Sequence, residues 1–131
     1  MNIVVGYLPT PEGLAAVDHA IGVTTAGQDT LVIVNTGSRG NDADPAFATS
    51  SDWDALDARL TELGVAHELR QPAQAESPAG QILAAAKACD AGLIVIGLRR
   101  RSPVGKLFLG STSQEVLLDA DCPVTVIKRP R

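Results

Sequence analysis

Aromatic side chains are nearly missing from this chain, at 3% of 131 residues: one tryptophan, one tyrosine and two phenylalanines. With 45% of residues hydrophobic, the core must be built from alanine, valine, leucine and isoleucine, which suits helices packed on a buried parallel sheet. Long apolar runs are also missing. No stretch approaches a membrane span, and the opening MNIVVGYLPTPEG enters a strand without a signal-peptide pattern, so the expected location is the cytoplasm and no membrane partner is expected. There is no excess of cations either: the formal net charge is −4, which argues against a general nucleic-acid binder. Cysteine is scarce. Cys89 and Cys122 form no CxxC pair and have no histidine close in sequence, so they read as free thiols and not as a redox or metal pair.

A chain of this length is expected to form one domain, residues 1–131, burying roughly two thirds of its unfolded surface. Residues 2–7 read as a strand buried on both faces. Thr10-Pro11-Glu12 is a helix start, with a hydroxyl cap, a proline and an early acid. Leu14, Val17 and Ile21 then recur at helical spacing as far as Gly27. Residues 30–35 form a second strand, and 36–50 a polar loop expected to be mobile. Ser51-Asp52 opens a helix with Trp53, Leu56, Leu60 and Leu63 on one face, ending at Gly64. Residues 65–69 alternate as an edge strand does. Ser77-Pro78 starts a third helix through Ile82, Leu83, Ala86 and Cys89, followed by a strand at 93–96, a helix at 111–119 and a strand at 124–128. Strands and helices alternate throughout, which defines an α/β chain with crossovers long enough for parallel pairing.

The richest segment is GLRRRSPVGKLFLGSTSQEVLLDADCPVTVIK, residues 97–128. A helix beginning at Gly110-Ser111-Thr112-Ser113 presents backbone N–H groups and hydroxyls at its positive end, which suits a phosphate. Arg99, Arg100, Arg101 and Lys106 occupy the loop before it. Common phosphate motifs are excluded. A Walker A loop ending at Gly105-Lys106 would need glycine where Arg100 stands and a hydroxyl where Leu107 stands. The turn after the first strand has only Gly6 of a dinucleotide fingerprint. GxSxG and HExxH are absent. His19 and His67 read as packing or surface residues. No nucleophile, base and orienting group assemble, so the chain does not read as an enzyme.

The spacing from Gly97 to Gly110-Ser111, with Cys122-Pro123-Val124 before the last strand, resembles the universal stress protein family over essentially the whole chain. That resemblance implies a five-stranded parallel sheet in order 3-2-1-4-5 with helices on both faces, Rossmann-like, usually a homodimer and often binding ATP. Such an order faces the loops 7–10 and 97–110 into one crevice. Two positions depart from the family pattern. Arg100 replaces the middle glycine, where a Cβ obstructs close backbone approach. Leu8 stands where ATP-binding relatives carry an aspartate that holds the nucleoside. A lost hydrogen bond of that kind costs about 1–3 kcal/mol, while arginines facing phosphate contribute about 1.5–3 kcal/mol each.

Two readings therefore stand. The first is a nucleotide-binding sensor or regulator of the stress response. Gly97, Arg99, Arg100, Gly110, Ser111, Thr112 and Ser113 would hold the phosphates, with Tyr7, Leu8 and Asn35 near base or ribose. ATP is its default ligand, with Mg²⁺ as the accompanying ion. The second is a dimeric protein-interaction scaffold without nucleotide. Bland alternatives accompany the first: solvated arginines, Ser111 as a helix cap, Gly97 as a tight strand end. In both readings Val124, Thr125, Val126 and Ile127, an apolar edge strand, pair two copies into a homodimer.

Overall fold

β-branched runs form the centre of the sheet. β1 (Asn2–Tyr7) and β2 (Thr30–Asn35) carry Ile3, Val4, Val5 and Val32, Ile33, Val34, all essentially sealed from solvent, as suits residues that fill a pleated surface on both sides. In this computed structural model the residues described are 1–25, 27–36, 50–71, 77–98 and 110–128. The elements that follow in chain order are α1 (Pro11–Val23), α2 (Ser50–Glu62), β3 (His67–Arg70), α3 (Pro78–Ala88), β4 (Leu93–Leu98), α4 (Ser111–Asp119) and β5 (Val124–Lys128), with α1 lying between β1 and β2. All pairings are parallel and the order is β3-β2-β1-β4-β5. The fold is therefore the expected Rossmann-like α/β architecture.

From β1 the chain steps outward to β2 and β3, then crosses back to β4 and β5. The two pairs of helices lie on opposite faces of the sheet, the arrangement that right-handed crossovers from a central β1 produce. Ile3, Val5, Tyr7, Leu31, Ile33 and Val95 meet Ala16, Val17 and Ala20 of α1 and Leu56 and Leu60 of α2. On the other face Val4, Val32, Val34, Ile94 and Ile96 meet Ala79, Ile82 and Ala85 of α3 and Val116 of α4. Each fully buried isoleucine, leucine or valine contributes about 1.5–3 kcal/mol. No helix among the described residues is long and apolar enough to cross a membrane.

Helix starts follow the sequence closely. Thr10 and Ser77 cap α1 and α3 by accepting from the N–H of Gly13 and Gly80, with proline next in each case. The face of α1 differs from the expected Leu14-centred one. Leu14 is 44% exposed, and Gly13, Ala15, Ala16, Val17 and Ala20 are buried instead. The small residues let the helix axis approach the sheet. Leu63, expected on the buried face of α2, lies past that helix and is exposed. β3 begins at His67, later than expected, because Val65 and Ala66 bond to Leu60 and Leu31 as a lead-in. β4 runs two residues past Ile96, through Gly97 to Leu98.

Candidate functional site

All five strands end on one side of the sheet, and β1 and β4 are adjacent there, with Gly6 opposite Ile96. The helices after these two strands lie on opposite faces, so the strand ends of β1 and β4 form the topological switch point, the place where α/β sheets of this kind take their ligands. The β1 end is tightly held. The Tyr7 carbonyl oxygen accepts from both Asn35 Nδ2 and Thr36 N–H, each at 3.1 Å. Asn35 is wholly buried, and its amide ties the exits of β1 and β2 together. The Tyr7 ring does not project from the strand end. It is 2% exposed, and its centroid lies 5.5 Å from that of Trp53 at an interplanar angle of 45°. Burial, and then the Asp52 carboxylate, push the Tyr7 phenol above its ordinary range, so it stays neutral near pH 7. Trp53 in turn donates its indole N–H to Gln71 Oε1 at 3.2 Å.

Leu8 is half-buried directly after β1. Its carbonyl accepts from Thr10 N–H at 2.7 Å and lies against Gly13, where an added Cβ would stand 1.8 Å from the Leu8 oxygen. Gly13 is thus required for the β1 exit to fold over the first turn of α1. Gly97 meets the same turn from the other side: a Cβ there would stand 2.5 Å from the Glu12 carbonyl oxygen. Its glycine identity follows from this packing of β4 on α1, and it belongs to the strand itself. Neither close approach is visible as a spacing motif, since a glycine in a helical run, as Gly13 is, looks merely tolerated.

α4 runs back along the sheet, so its N-terminus lies at the strand-end side. Gly110 is the N-cap and Ser111 the first helical residue, so Ser111 does not take the capping role. Gln114 N–H closes the first turn on Gly110 O at 3.0 Å. Unlike Thr10 and Ser77, Gly110 supplies no side-chain acceptor, and the first turn holds no acid. The N–H groups of Ser111, Thr112 and Ser113 therefore have no helical acceptor, and the positive end of the helix is not neutralised from within. Ser111 is exposed, Thr112 half-buried and Ser113 8% exposed. A Cβ on Gly110 would meet no described atom within 4 Å. Arg99, Arg100, Arg101 and Lys106 lie outside the described residues, as does most of the polar segment 36–50. The structure thus brings the Tyr7 carbonyl, Leu8 and Asn35 together at the exits of β1 and β2, with the Tyr7 ring turned into the core, and places Gly110, Ser111, Thr112 and Ser113 at the start of α4.

The Universal stress protein family model matches residues 1–128. A universal stress protein of Mycolicibacterium smegmatis is 40% identical over 126 residues, which are 96% of this chain and 96% of that protein. Among solved structures, a universal stress protein from Archaeoglobus fulgidus superposes with a TM-score of 0.75 at 24% identity, over 98% of this chain and 93% of that one. A universal stress protein in complex with cAMP gives 0.73 at 20% identity, over 99% and 98% of the two chains. The sheet order agrees with the family match across the chain: this protein belongs to the universal stress protein family.

Proposed function

We propose that this protein binds a small phosphorylated nucleotide, ATP by default, at the crevice between β1 and β4, and acts as a sensor or regulator of the stress response without catalysing turnover. The observation that carries the reading is the start of α4. Three successive N–H groups without helical acceptors, three hydroxyl residues and a glycine cap whose Cβ position meets no described atom would form a cradle for an anion. A phosphate there receives charge-assisted hydrogen bonds worth about 1.5–3 kcal/mol each. Arg99 and Arg100 precede it in sequence and supply further cations, with Mg²⁺ carried in by the triphosphate. The cAMP complex of a protein of the same fold is consistent with this ligand class. Leu8 offers an apolar side chain at the rim, so recognition rests on phosphate more than on the nucleoside.

Calorimetric titration with ATP and Mg²⁺, and separately with cAMP, tests the reading. Micromolar binding lost in Gly110→Asp, which puts a negative side chain into the cradle, supports it. A folded Gly110→Asp with unchanged affinity, or wild type that ignores both nucleotides at millimolar concentration, overturns it. The same experiment on Arg100→Ala separates phosphate contact, which weakens binding, from obstruction, whose removal tightens it.

The second reading, a dimeric scaffold, is favoured by β5. This edge strand keeps Val124, Thr125, Val126 and Ile127 half-buried, with one backbone edge unpaired in the sheet, and pairing about a two-fold axis would satisfy both copies. Pro123 limits its length. Homodimerisation belongs to both readings and is checked by sedimentation of the wild type against Val126→Lys.

A further inference from the structure

His67 sits on the edge strand β3 with both ring nitrogens against groups that only accept. Nδ1 lies 2.7 Å from the Val65 carbonyl oxygen, and Nε2 lies 2.6 Å from Asp57 Oδ1 on α2. The imidazole is 11% exposed and the Asp57 carboxylate 60%. A neutral imidazole carries one N–H and can satisfy one of these contacts; the other then sets lone pair against lone pair. Only the imidazolium satisfies both. The surroundings add little competing charge. Alternation along β3 turns Glu68 and Arg70 to the opposite face, where they pair with each other at 2.9 Å. β2 has no charged residue. On α2, Arg59 reaches across to Asp18 of α1 at 2.6 Å, and Asp57 is the described charge that acts on the ring.

We propose that Val65, His67 and Asp57 form a proton-operated latch that fastens α2 to the edge of the sheet, closed when the imidazole is doubly protonated. β3 is held by β2 alone on its paired side, and this polar tie adds to the packing of Val65 and Leu69 that binds the edge strand to the helix layer. α2 also carries Trp53 against Tyr7. Opening the latch therefore loosens the element that backs the β1 exit. The inference does not depend on nucleotide binding.

Burial lowers the affinity of the ring for its proton. The bond to Val65, and the bond and charge of Asp57, outweigh that, and the net shift is upward. The stabilisation is therefore fully present below the unfolded-state value of about 6.5 and is lost as pH rises through the higher folded-state value. Asp57→Asn provides a variant that should fold. The amide N–H can donate to neutral Nε2 while Nδ1–H donates to Val65, so this latch stays shut with no charge required.

Two measurements on the free protein test the latch. In histidine-ring nitrogen NMR, the signal missing from His67→Gln should titrate above about 6.5 and show both nitrogens protonated at low pH. Amide exchange, corrected for intrinsic rates, should show α2 and β3 opening about two- to five-fold more between about pH 5.5 and pH 8.5 in the wild type. Asp57→Asn should show no such rise. A His67 midpoint at or below the ordinary value, or an equal rise in Asp57→Asn, overturns the proposal.

Discussion

Gly13→Ala concentrates what the β1–α1 junction asks of the chain. The new Cβ would stand 1.8 Å from the Leu8 carbonyl oxygen and 2.8 Å from the Leu8 carbon and nitrogen. All three are backbone atoms, so no rotamer change relieves the overlap. The Leu8 peptide must swing away and give up the 2.7 Å bond that its oxygen accepts from Thr10 N–H, a loss of about 1 kcal/mol. Overpacking adds about 1–3 kcal/mol. Against this, alanine gains up to about 1 kcal/mol over glycine inside a helix, so the net effect is destabilisation by about 1–3 kcal/mol. Gly22, in the last turn of the same helix, is the internal control: a Cβ there meets nothing within 4 Å, and Gly22→Ala should stabilise by up to about 1 kcal/mol. For a chain of this size each kcal/mol moves Tm by about 3–5 °C. Thermal unfolding followed by circular dichroism, and urea unfolding followed by the emission of Trp53, the one tryptophan, should place the two variants on opposite sides of the wild type. If Gly13→Ala stabilises as Gly22→Ala does, the close approach of Leu8 to α1 is wrong.

Two further substitutions probe the rim and the thiols. Asn35→Asp replaces the donor to Tyr7 O with a wholly buried carboxylate, so it should destabilise more than Asn35→Ala at pH 7 and recover on acidification, when the neutral acid can donate; urea titrations at two pH values check this. Burial pushes the thiols of Cys89 and Cys122 upward, and the Asp121 charge adds to the effect at Cys122, so alkylation near pH 7 should be slow and Asp121→Asn should speed it at Cys122.

Regular elements were legible where one short-range signal dominated. β2, α4 and β5 lie where β-branched runs, glycine and proline set their ends, and Thr10-Pro11 and Ser77-Pro78 start their helices. Leu14 misled, because hydrophobicity favours the larger side chain whereas a helix pressed against strands buries its alanines. The start of α4 was readable from Gly110 to Ser113. The functions of Gly13 and Gly97 were not, since each depends on backbone from a distant or folded-back segment. His67 looked idle for a related reason: Asp57 is ten residues away, and only the packing of α2 on β3 brings it to the ring.

The two helix layers also impose an order in time. α1 and α2 are both made before α3 begins, and they cover one face of β1 and β2. Val4, Val32 and Val34 on the other face wait for Ala79, Ile82 and Ala85. A nascent chain that has released β3 but not α3 therefore carries a half-clothed sheet with β1 still lacking β4 as its neighbour, the kind of surface on which partly made chains stick to one another. Ribosomal pausing in that window would expose it longest, and rapid delivery of α3 is what closes it.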